Sequence, residues 1–202
     1  MEAAPVQRFY RYHAAVYDLT RWTLLFGRRA AVEALQVRPD SRVLEVGCGT
    51  GLNFAHTIRR LDPKKGTLTG LDFSAHMLVR ARRRVARHRW SNVSLLSGDA
   101  STLDLPDRFD RVLFGYSLSM IPAWEVSLER AVAHLERGGR MVVLDFGRFE
   151  KWGPFGPVMR EFLRVNHVTT KRDVGQAMKA VVDRVTVRHA LGGHHIIAEG
   201  VK

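Results

Sequence analysis

One cysteine, Cys48, is the only thiol in this 202-residue chain. That excludes an intramolecular disulfide framework and any zinc site built from several thiolates. No apolar run approaches the roughly 20 residues that a membrane-spanning helix needs. The start of the chain lacks the charged-then-apolar pattern of a secretory signal, so a cytoplasmic location is expected. Internal repeats, low-complexity tracts and Pro/Gly/Ser linkers are also missing. The length then suits one domain over residues 1–202 with a substantial core. Acidic residues are scarce, 20 against 32 lysines and arginines, leaving a formal charge of +12. Such an excess favours a polyanionic partner: nucleic acid, an anionic membrane face or a phosphate-bearing substrate. A solvated arginine surface is the plainer alternative.

What is present alternates in period. Residues 5–36 read as helical with a break near Gly27. Then SRVLEVG is a short run suited to a buried strand, followed by the helical GLNFAHTIRRL. GTLTGLDF is a second strand, and SAHMLVRARRRVARH a helix with Ser74 as its N-cap. NVSLLSGD and FDRVLFGY are the third and fourth strands. AWEVSLERAVAHLERGG is a helix running to glycine, and RMVVLDF is a fifth strand. Two further helices are expected over about 154–165 and 171–183, then two strands around Gly192-Gly193 as a hairpin. Strands alternating with helices call for an α/β fold, a mostly parallel Rossmann-like sheet covered on both faces. A terminal antiparallel hairpin completes it.

The segment VLEVGCGTGLN, Val43 to Asn53, places Gly47, Gly49 and Gly51 on a strand-to-helix turn, where backbone must approach a ligand closely. Its spacing is E-x-G-x-G-x-G, not the G-x-G-x-x-G of dinucleotide loops, and no Gly-Lys-Ser/Thr follows. Glu45 would repel a diphosphate and attract an ammonium or sulfonium group. Asp72 ends the second strand about twenty residues on, where a carboxylate can bind both ribose hydroxyls. SGDAS ends the third strand, and Asp99 with the Ala100 amide can read an adenine edge. A lone glycine loop is often just a tight turn. Three such features at successive strand ends make a ligand site.

The segments VLEVGCGTG, LDFS, GDA and FDRVLFGYSLSMIP resemble motifs of class I S-adenosylmethionine-dependent methyltransferases, over roughly residues 38–147. The resemblance implies a seven-stranded sheet with the last strand antiparallel. It also implies S-adenosylmethionine as cofactor, S-adenosylhomocysteine as product, and no metal. Carried over by position, Gly47, Gly49, Thr50 and Asn53 face the methionine part together with Glu45. Asp72 takes the ribose, Phe73 and Met77 flank the adenine, and Asp99 with Ala100 meets its edge. Gly115, Tyr116 and Ser117 close the site. FGYS stands where many relatives carry a polar Asn or Asp, which argues against base methyltransferases of the Asn/Asp-Pro-Pro-Tyr type.

The flanks YDLTRWTLLFGR, SLSMIPAW, VLDFG and NHVTTKRD are similar to small bacterial lipid-headgroup N-methyltransferases, of the phosphatidylethanolamine or betaine-lipid kind. Quinone C-methyltransferases also open with Tyr-Asp before a helix and are the competing enzyme class. The aromatic and basic N-terminal segment, residues 1–37, is expected to act as a lid and to dock on an anionic membrane. Tyr17 and Arg21, one turn apart, would then cover the cofactor. Tyr17 or Tyr116 would orient or deprotonate the acceptor amine, and Arg21 with His167 would meet a headgroup phosphate. The expected partners are an anionic membrane surface and its lipid, without a stable nucleic-acid partner, for a monomer or weak homo-oligomer on the inner membrane face. RARRRVARHR carries an apolar stripe of Met77, Leu78, Ala81 and Val85, so it reads as a surface helix. The adjacent histidines of GGHH would fall on opposite faces of a strand, a poor metal pair. Trp22, Trp124 and Trp152 read as core or interface.

Overall fold

The computed structural model describes residues 25–202, so Tyr17, Arg21, Trp22 and most of the expected N-terminal helix lie outside the described residues. The described chain starts at Leu25 and turns at Gly27, whose φ of +80° sets the start of α1 (Arg28–Ala34). A side chain there would meet the His195 ring at 2.6 Å, so the expected break at Gly27 is a packing requirement.

Seven strands follow: β1 (Arg42–Val46), β2 (Thr67–Asp72), β3 (Val93–Ser97), β4 (Phe109–Gly115), β5 (Leu135–Phe146), β6 (Asp183–Ala190) and β7 (His195–Val201). They form one sheet in the order β3-β2-β1-β4-β5-β7-β6. The first five are mutually parallel. β7 runs antiparallel to both β5 and β6. Between them lie α2 (Phe54–Ile58), α3 (Ala75–His88), α4 (Trp124–Ala133), α5 (Phe155–Val165) and α6 (Val174–Val181).

Side chains alternate across the sheet and build two cores. Val43, Leu113 and Val142 pack with Val32 of α1, Leu35 just after it and Leu78 of α3. Their neighbours Leu44, Val112 and Val143 pack on the other face with Leu128 of α4 and Met178 of α6. Burial on both faces is why these strands read as continuous apolar runs. α3 meets the sheet through Met77, Leu78 and Ala81. Its arginines stay on the other side, and the Ser74 hydroxyl caps its start by accepting from the Met77 amide at 3.4 Å.

Three elements differ from the sequence reading. α2 is shorter than GLNFAHTIRRL, because Gly51 sits at φ +75° and the Asn53 side chain is drawn away to Glu45. α4 stops at Ala133 and does not run on to the glycines. The His134 ring bonds the Arg130 carbonyl at 2.7 Å and the Leu105 amide at 2.8 Å, ending the helix. Leu135 then pairs with Phe109, and the register shifts between Phe109 and Arg111, so LERGG is strand. α6 begins after Asp173, whose carboxylate accepts from the Gln176 amide at 2.9 Å, and Asp183 already belongs to β6.

β1 is the point where chain order reverses, with β2 and β3 on one side and β4 and β5 on the other. Ligand crevices form at the carboxyl ends of the strands at such a switch. The opposite end is tied by Asp110, which accepts from Arg42 N at 2.9 Å, Ser41 Oγ at 3.1 Å and Arg38 Nη2 at 3.0 Å. Asp110→Ala leaves the fully buried Ser41 hydroxyl and the Arg42 amide short of an acceptor. The expected loss is about 1–3 kcal/mol of unfolding free energy, read by denaturant titration.

Candidate active site

The turn after β1 is shaped by what it must pass. A side chain on Gly47 would meet Ser117 Cβ at 2.4 Å, and one on Gly115 would meet Asn53 Nδ2 at 2.2 Å. Gly47 takes φ +67° and Gly49 φ +56°. At Gly49 the direction of a side chain is open, with nothing within 4 Å. The loop is therefore pressed onto the β4 turn on one side and presents bare backbone on the other. Ser117 holds the contact by donating from Oγ to the Val46 carbonyl at 2.7 Å.

Glu45 is fully buried at the end of β1. Its Oε1 accepts from Asn53 Nδ2 at 2.7 Å, while Arg28 Nη1 donates to Asn53 Oδ1 at 2.5 Å. Oε2 is buried without a hydrogen-bond partner. Burial pushes its pKa up to about 7, against the pull of the Asn53 hydrogen bond and the Arg28 charge. Asp72 joins two loops, accepting from Gly49 N at 2.7 Å and Ser74 N at 2.8 Å. Burial raises its pKa too, and those two amides oppose the rise.

Tyr116 sits at φ +60°, a position rare for a large side chain. Its hydroxyl donates to the Phe26 carbonyl at 2.7 Å, and Arg28 lies 5.6 Å from its ring centre. Burial raises the phenol well above its ordinary range, with the nearby Asp145 charge adding to the effect. A phenol held protonated and already donating is a poor proton acceptor. Of the two expected roles, positioning suits Tyr116 and deprotonation of an amine does not. What it positions is the chain entering at Phe26.

Glu45, Gly47, Gly49, Asn53, Asp72, Gly115, Tyr116 and Ser117 thus converge, and Thr50 is buried beside them in the same turn. Phe73 stands 45% exposed next to Asp72, whereas Met77 is only 3% exposed. Met77 lies on the buried face of α3, and Phe73 beside it keeps the exposed apolar surface. Ala100 is buried, and Asp99 turns its Oδ1 to Ser101 N and Oγ, both at 2.8 Å, capping its own short turn. His167 is exposed just past the end of α5 at φ +60°. Its segment is tied to the β4 turn, with Thr169 N donating to Ser119 O at 3.1 Å.

Two participants lie within the quoted flanking motifs, YDLTRWTLLFGR and VLDFG, but are assigned no role from sequence. Arg28 reaches the site from α1. Asp145, fully buried at the end of β5, accepts from Ser119 N at 2.7 Å and Phe146 N at 2.8 Å. The histidines also depart from expectation. His194 closes the turn before β7, and its Nδ1 lies 3.3 Å from that of His195, so the pair is not split across a strand. Burial, together with its neighbour, pushes His194 down to about 4. Among the described residues no group of three or more His, Cys, Asp or Glu side chains is placed to hold a metal ion.

A family profile described as a methyltransferase domain matches residues 43–139. Phosphatidylethanolamine N-methyltransferase of Cereibacter sphaeroides is 31% identical over 92% of this chain and 87% of its own length. The chain belongs to the S-adenosylmethionine-dependent methyltransferase family. Demethylmenaquinone methyltransferase of Desulfitobacterium hafniense is also 31% identical, over 73% of this chain, and the chain spans 60% of that protein. In fold, a Haemonchus contortus N-methyltransferase solved with phosphomonomethylethanolamine and S-adenosylhomocysteine superposes with a TM-score of 0.73 at 15% identity. That superposition covers 87% of this chain and 52% of the other.

The residues present fit S-adenosylmethionine. The unpartnered Glu45 oxygen suits a cation, Asp72 suits a ribose, and the open side of Gly49 leaves room for a close approach. Without ligand, burial holds the Glu45 pKa above its unfolded value, so its contribution to stability is complete below about pH 4.5 and is lost as pH rises through about 7. Glu45→Gln should abolish this part of the pH dependence and raise the apo melting temperature at pH 8. The same change should weaken S-adenosylmethionine binding by about 1–3 kcal/mol in calorimetry. In the wild type that affinity should fall as pH drops below about 7.

Proposed function

We propose that this protein is an N-methyltransferase acting on the amino headgroup of a membrane lipid. The observation that carries this reading is the apolar packing next to the cofactor turn. At the ends of β4 and β5 the buried rings of Tyr116 and Phe146 have centres 4.8 Å apart, and Asp145 is buried at the end of β5. Buried rings and a carboxylate beside the cofactor turn favour an amine attached to an apolar body over a strongly polar acceptor. The length of the match to the phosphatidylethanolamine enzyme, which reaches past β5 through the helices that follow, supports the same class of acceptor.

When bound, S-adenosylmethionine supplies a sulfonium-activated methyl group. The protein's part is to place the acceptor nitrogen in line with it and to keep water away. A primary amine with a pKa near ~10 is only ~0.1% neutral at pH 7, an obstacle of about 4 kcal/mol. Apolar surroundings lower that cost by disfavouring the ammonium form. With the Tyr116 hydroxyl committed to Phe26, desolvation and positioning carry the work rather than a dedicated base.

A second reading, C-methylation of a quinone, is supported by the demethylmenaquinone methyltransferases, which match at the same level of identity. The same apolar packing suits a flat apolar ring. The two readings separate in one assay, with isotope-labelled S-adenosylmethionine offered phosphatidylethanolamine and a demethylated quinone side by side. Label is expected in mono-, di- or trimethylated lipid by mass spectrometry. Label in the quinone alone overturns the lipid reading. Tyr116→Phe should retain most of the rate, within about tenfold, because the ring remains while one hydrogen bond to Phe26 is lost.

A further inference from the structure

The segment between α5 and α6 crosses the carboxyl end of the sheet. Val168 is buried in the core that holds Val43 and Leu113, and Val174 in the core on the opposite face. In between, the chain passes the turn after β4, where Thr169 N donates to Ser119 O at 3.1 Å. Three residues on, the half-buried Arg172 donates from Nη1 to the Leu118 carbonyl. Its guanidinium carbon lies 5.3 Å from the centre of the Trp124 ring, a cation–π contact. Leu118 opens the short turn after β4 and Trp124 opens α4, so one side chain spans the connection between the two elements.

The connection's own backbone bonds are those of one short turn, Met120 N to Ser117 O at 3.1 Å and Ile121 N to Leu118 O at 3.2 Å. A 3₁₀ turn of this length has poor hydrogen-bond geometry and relies on support from outside. Part of that support is Asp145, which accepts from Ser119 N at 2.7 Å. Asp145 is buried at the end of β5, and a buried carboxylate is costly unless it is hydrogen-bonded and paired. Burial raises its pKa, opposed by Ser119, the Phe146 amide and the Arg172 charge. In return, Asp145 and then Glu125 hold the Arg172 cation against the cost of its own burial.

The turn matters because the residues that enter it belong to the site. Ser117 donates to the Val46 carbonyl at 2.7 Å and stands where a side chain on Gly47 would fall. A shift at Leu118 therefore moves the surface against which the glycine loop is pressed.

We propose that Arg172 is a positioning residue for methyl transfer. By joining the Leu118 carbonyl, the Trp124 ring and the buried Asp145 charge, it fixes the turn after β4 and with it the side of the cradle formed by Ser117. Its action runs through the turn, and it is the same for an amine or a quinone acceptor.

The test compares the full-length wild type with Arg172→Gln and Arg172→Lys, by calorimetry with S-adenosylhomocysteine and by residue-resolved hydrogen exchange. Gln keeps a donor and loses the charge, whereas Lys keeps the charge and loses the flat face on Trp124. In Arg172→Gln the affinity should fall by about tenfold, the scale of one hydrogen bond to a charged group. Exchange of the Ser119, Met120 and Ile121 amides should rise, while amides of β1 and β4 keep their protection. Arg172→Lys should recover affinity to within about threefold of wild type, with a smaller rise at the same three amides. Wild-type affinity and wild-type exchange in Arg172→Gln overturn the proposal. A lower melting temperature with exchange rising evenly across the sheet, and unchanged affinity of the folded fraction, overturns it too, leaving Arg172 a role in stability alone. If Arg172→Gln does not fold, Arg172→Lys decides: exchange at the three amides equal to wild type overturns the proposal, and a rise confined to them supports it. None of these readouts involves an acceptor, so their outcome is separate from that of the lipid and quinone assay.

Discussion

The crossing of the loop after β1 with the turn after β4 sets the geometry of everything at the carboxyl edge of the sheet. Two backbones pass there with no room for a side chain on either, at Gly47 against Ser117 and at Gly115 against Asn53. Close approach at the first contact aligns the Ser117 hydroxyl with the Val46 carbonyl. At the second it brings the Asn53 amide within reach of Glu45. Arg28 then closes on Asn53, and the entering chain is held over the site by its own first helix. Any side chain at Gly47 would separate these turns and with them the whole cluster.

The second feature of this edge is an accumulation of buried carboxylates. Glu45, Asp72 and Asp145 all have pKa values raised chiefly by burial. Buried charge is costly unless it is hydrogen-bonded or paired. Asp72 and Asp145 are bonded through backbone amides at both oxygens, but Glu45 keeps one oxygen without a partner. Among these three carboxylates local consistency is broken only at Glu45, and such breaks concentrate at functional sites. The sign of the missing partner follows from the group: it is a donor, and a cation serves best.

Basic charge is distributed differently from what the run RARRRVARHR invites. α3 puts its apolar stripe onto the sheet and its arginines outward, as an ordinary amphipathic helix does. α5 lies past β5, at the end of the sheet that carries the site, and its apolar stripe exceeds what the core can absorb. Position along the chain separates the two helices: one covers a face of the sheet, the other follows β5.

Much of this was legible in the residues alone. Strand-helix alternation, the terminal hairpin, the break at Gly27, the Ser74 cap and the cluster from Glu45 to Asp72 all follow from local chemistry, because hydrophobic period, capping and glycine freedom act over a few residues. Other features come from contacts between distant segments. His134 ends α4 by bonding Leu105, and the pairing of Leu135 with Phe109 turns a helix-forming stretch into strand. Arg28, Asp145 and the commitment of the Tyr116 hydroxyl to Phe26 depend on elements brought together across the fold. The sequence by itself determined the order of strands and helices and the glycine turn with its flanking carboxylates. Only the tertiary structure decided which charges are buried, which hydroxyl is already engaged and which apolar face is left uncovered, since burial and partnership are properties of what lies opposite in space.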